Sequence, residues 1–146
     1  MNNKSTDKLL KMLNKVKNQS ELKKHIDRSD LKEEAYQLCE YILEVCKDKD
    51  CGKSKIIRNS DIHRTYGYQI LNGNRLPSRD KLLQICVGNK FSLEETNKAL
   101  TIANLGILYA KELRDSIIIY SLNNKLNLLE ANIILDEHGL KPLGDI

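Results

Sequence analysis

The chain has 146 residues, of which 40% are hydrophobic and 30% are charged, and its formal net charge is +4. This length predicts one domain, or one domain with an appendage, and the hydrophobic content is sufficient for a buried core. No apolar run reaches the length of a membrane helix, about 18 residues, and the N-terminus lacks the apolar stretch of a signal peptide. We therefore expect a cytoplasmic protein with no membrane partner.

Charge is distributed unevenly along the chain. Residues 1–28 carry a net charge of +5, residues 29–50 carry −4, residues 51–90 carry +6 and residues 91–146 carry −3. The basic block at 51–90 has the sign that a phosphate-binding surface requires. A solvated charged face would have the same composition, so charge alone does not separate these two interpretations.

Residues 1–28 are predicted to form an N-terminal helical arm. Residues 6–17 carry an apolar stripe between lysines, and Ser20 is a suitable cap for a short second helix. Such an arm can dock on the domain, pair with a partner or wrap DNA, and docking is the commonest of these arrangements.

The next predicted helix begins at Asp30, because Asp30 and Glu33 have the spacing of a capping box. It continues to about Lys47, and its apolar positions recur with the helical period. Cys39 and Cys46 lie on this helix among apolar residues, and we interpret them as small buried hydrophobic side chains. No cysteine belongs to a C-x-x-C pair or has a zinc-like spacing to a histidine, so we predict no metal site and no cofactor.

Residues 51–87 contain two short helical patterns separated by a break at residues 60–62. The first pattern covers residues 53–60. The second covers residues 62–72 and has two faces. Its apolar face comprises Ile62, Tyr66, Ile70 and Leu71, and its polar face comprises Arg64, Thr65, Tyr68 and Gln69.

Turn and capping residues follow the second pattern. The sequence Asn72-Gly73-Asn74 predicts its end, and Pro77-Ser78 predicts the start of a third helix. Two short helices joined by a tight turn, with polar side chains outward on the second, are typical of proteins that read the DNA major groove.

This segment resembles the helix-turn-helix of Cro/C1-type repressors, the XRE-like regulators of bacteria or their mobile elements. The resemblance rests on SKIIRNSDI and on HRTYGYQILNGNRLPSRDKLL, in which the N-G-x-x-x-P-S ending is the most specific part. It implies an all-α fold: a Cro/C1-repressor-like helix-turn-helix bundle at 29–105, extended by the N-terminal helical arm and a C-terminal helical hairpin at 106–146.

Two residues depart from the pattern of this family. Asp61 stands where the turn usually has glycine, but aspartate tolerates a left-handed conformation better than most residues. Gly67 stands where the family usually has a branched apolar residue. Glycine costs about 1 kcal/mol of helix propensity, but it permits close packing against the preceding helix.

The resemblance implies sequence-specific binding of double-stranded DNA by a bacterial transcriptional regulator, with residues 62–72 in the major groove. On this interpretation Arg64 pairs with guanine or a phosphate, Gln69 suits adenine and the Thr65 methyl suits thymine. Tyr68 is placed against a phosphate or a base methyl. The residues expected to hold phosphates are Lys53, Ser54, Lys55, His63, Asn74, Arg75 and Arg79.

The C-terminal half contains an internal repeat. When the chain is shifted by 35 residues, residues 79–105 match residues 114–140 at nine of 27 positions. Each unit reads as a helix, a short break and a second helix, so two stacked hairpins are expected to bury faces that neither buries alone.

The segment 106–146 is acidic and strongly apolar, with Ile117, Ile118, Ile133 and Leu135 among its hydrophobic residues. It can complete the core, form a homodimer or bind a protein partner. The alternative function is therefore a non-enzymatic adaptor or antitoxin-like protein that uses this hairpin. No paired carboxylates and no nucleophile–base set are apparent, so we predict no enzymatic activity and no catalytic residue.

Overall fold

The computed structural model describes residues 10–11, 13–14, 18–19, 30–49 and 51–144. Seven helices lie between residues 30 and 144, and this part of the chain contains no strand, which confirms the all-α class. None of the described helices is long and apolar enough to cross a membrane. The helices are α1 (Asp30–Lys47), α2 (Lys53–Ser60), α3 (Arg64–Leu71), α4 (Arg79–Gly88), α5 (Leu93–Ile102), α6 (Leu113–Asn123) and α7 (Leu128–Glu137). Most of the arm predicted at residues 1–28 lies outside the described residues.

The central helix is α4, which contacts α2, α5, α6 and α7. Its residues 82–87 are all buried, as expected for a helix that is surrounded by others. Around it, α1 packs against α3 and α5, and α6 packs against α7. One hydrophobic core extends from Leu38 in α1 to Leu143 near the C-terminus. The C-terminal hairpin therefore shares its core with the preceding helices.

Two close approaches hold α2 in place. A side chain on Gly88 would overlap the carbonyl oxygen of Asn59, so the end of α4 lies directly against the end of α2. A Cβ atom on Gly67 would lie 2.7 Å from Cγ1 of Ile57. The close packing predicted for Gly67 is thus confirmed.

Several predicted helix ends are also confirmed. Asp61 follows α2 in the left-handed conformation, with φ 51° and ψ 42°. Ser78 caps α4 by accepting a hydrogen bond from the amide of Lys81, and Gly73 has φ +78° just after α3. The helix α3 begins two residues later than predicted, at Arg64, because His63 is its N-cap and accepts a hydrogen bond from the Thr65 amide through Nδ1. Ile62 is still buried, although it precedes the helix.

The cysteine prediction is confirmed for α1, since Cys39 and Cys46 are buried without disulfide bonds. Cys86 in α4 is also buried. Burial raises the pKa of Cys46 to about 11 and that of Cys86 to about 12. Both thiols therefore remain protonated at neutral pH and act as small hydrophobic side chains.

The unit α4–α5 and the unit α6–α7 have the same local structure at the 35-residue shift. Both second helices begin with a capping box, formed by Ser92 with Glu95 and by Asn127 with Glu130. In both breaks a lysine adopts positive φ, at Lys90 (60°) and at Lys125 (54°).

Side chains at matching positions of the two units also bond to matching partners. The Arg79 guanidinium donates to the carbonyls of Gly106 and Ile107, and the Arg114 guanidinium donates to those of Lys141 and Pro142. Each of these carbonyl positions differs by 35 residues from its counterpart. The repeat in the sequence is therefore a repeat in the structure.

Candidate functional site

The helix α3 presents a polar face to solvent. Arg64, Thr65 and Gln69 are exposed and Tyr68 is half-buried, whereas Ile70 and Leu71 are buried. The helical period places Ile70 opposite the four polar side chains, and α3 packs against α1 and α2. All four residues predicted to read bases therefore lie on one outward face.

The start of α2 and the end of α3 are joined by a hydrogen bond. Nζ of Lys53 donates to Oδ1 of Asn72 at 2.7 Å. Together with the contact between Gly67 and Ile57, this bond fixes the two helices as a pair. Lys53 stands at the first position of α2, and its ammonium group is held at the C-cap of α3.

A cleft of about 230 Å³ separates the exposed edges of α2 and α3. Arg64 and Tyr68 line one side, with the guanidinium carbon of Arg64 at 5.7 Å from the centroid of the Tyr68 ring. Ser54 and Arg58 line the other side. Arg58 was not among the predicted phosphate-binding residues. Its spacing of four residues from Ser54, which places both on one face of α2, is the signal that identifies it.

Gln69 and Arg75 form a second polar group beyond α3. Nη1 of Arg75 donates to Oε1 of Gln69 at 3.1 Å, and the Arg75 guanidinium carbon lies 4.6 Å from the centroid of the Tyr66 ring. The arginine is thus held by a hydrogen bond and a cation–π contact. The side-chain amide of Gln69 also carries two N–H donors, which this bond does not use.

The remaining predicted phosphate-binding residues surround these groups. Ser54 and Lys55 lie exposed in the first turn of α2, which has no acidic residue. His63 caps α3, and Asn74 is exposed just after that helix. Asp61 is the only acidic residue in the sequence from 51 to 79, so the surface is dominated by cations and hydrogen-bond donors.

Arg79 has a different environment from the one predicted for it. Its guanidinium donates to both carboxylate oxygens of Asp115, at 2.9 and 3.1 Å, and to two backbone carbonyls. Four of its five N–H groups are therefore occupied inside the protein. This arginine joins α4 to α6, and we do not include it in the candidate site.

The side chains of the site offer guanidinium, ammonium, hydroxyl and amide groups on α2 and α3. These groups suit contacts with anions and with hydrogen-bonding partners. In the part of the chain that the structure describes, no group of three or more His, Cys, Asp or Glu residues is arranged to hold a metal ion.

Comparisons with known proteins give no relatives: no protein-family model, no curated protein and no solved structure matches the chain.

Proposed function

We propose that the protein is a sequence-specific double-stranded DNA-binding protein, a bacterial transcriptional regulator with a Cro/C1-like helix-turn-helix formed by α2 and α3. The observation that carries this proposal is the outward face of α3, which combines Arg64, Thr65, Tyr68 and Gln69 within a basic surface. An α-helix with its side chains is about 10–12 Å wide, which fits the major groove of about 12 Å.

The side chains of α3 have the chemistry needed to distinguish bases. Arg64 at the first position of the helix has two parallel donors for the O6 and N7 atoms of guanine. Gln69 has an amide donor for the N7 atom of adenine, and its oxygen retains a second lone pair beside the bond from Arg75. The Thr65 methyl group suits contact with thymine.

The groups around α3 are suited to hold the phosphate backbone. The N-cap of α2 is Gly52, which makes no side-chain hydrogen bond to the first amides of the helix. Those amides and the positive end of the helix dipole favour a phosphate at this position. Lys53, Ser54, Lys55 and Arg58 add cations and a hydroxyl on the same helix. A regulator of this kind acts on the nucleoid in the cytoplasm.

A salt titration tests this function. Duplexes that the purified protein selects from a random pool are labelled, and binding is measured by fluorescence anisotropy at several salt concentrations. With four to six phosphate contacts per protomer, log K is expected to fall with a slope of about −4 to −5 against log salt. A flat titration, or the absence of any selected sequence, contradicts the proposal.

A second candidate function is that of a protein-interaction adaptor, and one feature of α7 favours it. Leu129 and Ile133 are exposed on α7, where the matching positions of α5 have Glu94 and Lys98. Large apolar side chains thus replace charged ones at equivalent surface positions of the repeat, as at a protein interface. An adaptor is expected to co-purify with a protein that Leu129→Asp releases, and to show no steep salt dependence with duplex DNA.

A further inference from the structure

A second basic cleft lies on a neighbouring side of α2 from the cleft described above. Its volume is about 520 Å³, and four of its lining residues are lysines: Lys49 after α1, Lys55 on α2, Lys90 after α4 and Lys125 after α6. The amide side chains of Asn59 and Asn127 also line it. None of the described lining residues is acidic. Of these six, only Lys55 belongs to the predicted phosphate-binding set.

Three of the four ammonium groups are held in place by backbone carbonyls. Nζ of Lys90 donates to the carbonyl of Lys125 at 2.7 Å, and Nζ of Lys125 donates to the carbonyl of Lys90 at 3.0 Å. Nζ of Lys49 donates to the same Lys90 carbonyl at 3.1 Å and lies 3.6 Å from a carboxylate oxygen of Glu95. The same Nζ lies 5.0 Å from the centroid of the Phe91 ring. Because an ammonium group has three donors, Lys90 and Lys125 retain donors for a ligand in the cleft.

These contacts bring lysines from three separate segments of the chain to one cleft. The ammonium groups of Lys49 and Lys125 both bond to the Lys90 carbonyl, and that of Lys90 bonds to the Lys125 carbonyl. In the described part of the chain Glu95 pairs with Lys49, whereas Lys90 and Lys125 form no ion pair and have their positive charge available to an anion. A ligand with several phosphate groups fits this cleft.

We propose that this cleft binds the phosphate backbone of the same duplex whose bases α3 reads, an inference that rests on the proposed function. The geometry of α2 connects the two sites. Ser54 and Arg58 line the first cleft, and the adjacent residues Lys55 and Asn59 line the second. Successive helical residues are about 100° apart, so the clefts occupy neighbouring sides of one helix that is about 10–12 Å wide.

The inference gives the C-terminal hairpin a part in DNA binding. Lys125 and Asn127 belong to the break between α6 and α7, and Lys90 belongs to the matching break between α4 and α5. The repeat therefore places two equivalent lysine-containing turns, one from each unit, at one cleft beside α2. Contacts from this cleft carry no base information, so they are expected to raise affinity for all sequences equally.

The test compares the double variant Lys90→Gln/Lys125→Gln with the wild type in the anisotropy titration on selected and scrambled duplexes. Loss of two phosphate contacts is expected to reduce the magnitude of the salt slope by about 1.8 while the ratio of the two affinities stays unchanged. The charge-retaining variant Lys90→Arg/Lys125→Arg is expected to keep the wild-type slope. Thermal melting of each variant checks that the fold is intact.

Lys111→Gln is the matched control for loss of a surface charge. Lys111 precedes α6 and Lys125 follows it, so the two lysines lie beyond opposite ends of this 11-residue helix, which is about 16 Å long. The control is expected to retain the wild-type slope. If the double variant retains it too while Arg64→Ala relaxes selectivity, the cleft does not bind DNA, although the proposed function stands. If the wild type binds no duplex, the proposed function itself fails.

A soluble phosphate compound is the other ligand with phosphate groups that could occupy this cleft. Thermal melting with sodium pyrophosphate at constant ionic strength distinguishes such a ligand from DNA. If pyrophosphate raises the melting temperature of the wild type but not of the double variant, and the salt slopes of the two proteins are equal, the cleft is a site for a soluble phosphate and the proposal is overturned.

Discussion

Arg79 in α4 and Asp115 in α6 form an ion pair with two hydrogen bonds, and the repeat contains a second ion pair of the same kind. Arg79 bonds to both carboxylate oxygens of Asp115, and Arg114 bonds to both carboxylate oxygens of Asp80. Arg79 corresponds to Arg114 in the repeat, and Asp80 corresponds to Asp115. Reciprocal pairing of this kind is the mark of a local two-fold relation between the two hairpins.

The first prediction concerns the energy of this pairing. In a double-mutant cycle, Arg79→Ala and Asp115→Ala are expected to show a coupling energy of about 2 kcal/mol, because the hydrogen bonds join charged groups and Asp115 is only 2% exposed. The control cycle combines Arg79→Ala with Asp80→Ala. These residues are adjacent in sequence and attract each other through space, but each forms its hydrogen bonds with other partners, so a smaller coupling than in the first cycle is expected. Urea denaturation measures both cycles, and equal couplings would exclude the reciprocal arrangement.

The second prediction concerns the pH dependence of folding. The hydrogen bonds from Arg114 lower the pKa of Asp80 below its ordinary value of 3.8. Burial opposes ionisation of Asp115, but its bonds from Arg79 and the Tyr109 amide outweigh burial and lower its pKa also. A carboxyl group with a lowered pKa in the folded state stabilises the protein above its unfolded pKa, and this contribution disappears as the pH falls through the folded pKa.

The free energy of unfolding is therefore expected to decrease as the pH is lowered below about 4. The double variant Arg79→Ala/Asp115→Ala should show a shallower decrease than the wild type, since one of the two carboxyl groups is gone. Urea denaturation at a series of pH values measures this difference, and parallel curves would contradict it.

The third prediction concerns the packing of α2 against α3. In Gly67→Ala the new methyl group would lie 2.7 Å from Cγ1 and 3.1 Å from Cγ2 of the buried Ile57. Overpacking of this kind costs about 1–3 kcal/mol, which exceeds the gain of about 1 kcal/mol in helix propensity. Gly67→Ala is therefore expected to lower the melting temperature. The control Gly106→Ala places its methyl group in open space and should have little effect.

Ile57 supplies the clash, so removal of its side chain should relieve it. Ile57→Ala alone creates a cavity and is expected to cost about 2–5 kcal/mol. The double variant Gly67→Ala/Ile57→Ala should be more stable than the sum of the single effects predicts. If the effects of Gly67→Ala and Ile57→Ala are strictly additive, the new methyl group at residue 67 does not clash with the Ile57 side chain.

The fourth prediction separates the two faces of the C-terminal hairpin. Ile118 in α6 is fully buried, whereas Ile133 in α7 is 48% exposed. Ile118→Asp places an unpaired charge in the core and is expected to destabilise the protein by several kcal/mol, about 4 or more. Ile133→Asp should change the free energy of unfolding by less than about 0.5 kcal/mol. If Ile118→Asp melts like the wild type, Ile118 does not lie in the core.

The fifth prediction separates the base-reading and phosphate-binding roles on α3 and α2. Arg64→Ala is expected to cost about 1–3 kcal/mol on the selected duplex and little on a scrambled one, because it removes contacts to a base. Lys53→Ala should weaken both complexes equally and reduce the salt slope by about one. Fluorescence anisotropy at two salt concentrations measures both effects.

Asn72→Ala controls for the bond between Lys53 and Asn72 at 2.7 Å. This variant removes the bond but keeps the charge of Lys53, so its salt slope should match that of the wild type. If Arg64→Ala leaves the ratio of selected to scrambled affinity unchanged, α3 does not read bases through Arg64, and the adaptor function gains support.

Local features of the structure were predictable from the sequence because their causes lie within a few residues. The cap at Ser78, the left-handed Asp61 and the end of α3 at Asn72 depend on short-range hydrogen bonds and backbone preferences. The helical period alone predicts which polar side chains share the outward face of α3. The start of α3 was placed two residues early, since an apolar residue such as Ile62 can be buried before a helix begins.

Long-range pairing was decided only by the tertiary structure. The sequence predicts that Arg79 holds a phosphate, because it is a basic residue close in sequence to the proposed reader helix. The packing of α4 against α6 instead brings Asp115, 36 residues away, to its guanidinium. The same packing brings Lys49, Lys90 and Lys125 to one cleft. Helical periodicity specifies which face of each helix is apolar, but the way the helices pack decides which polar side chains meet at their ends.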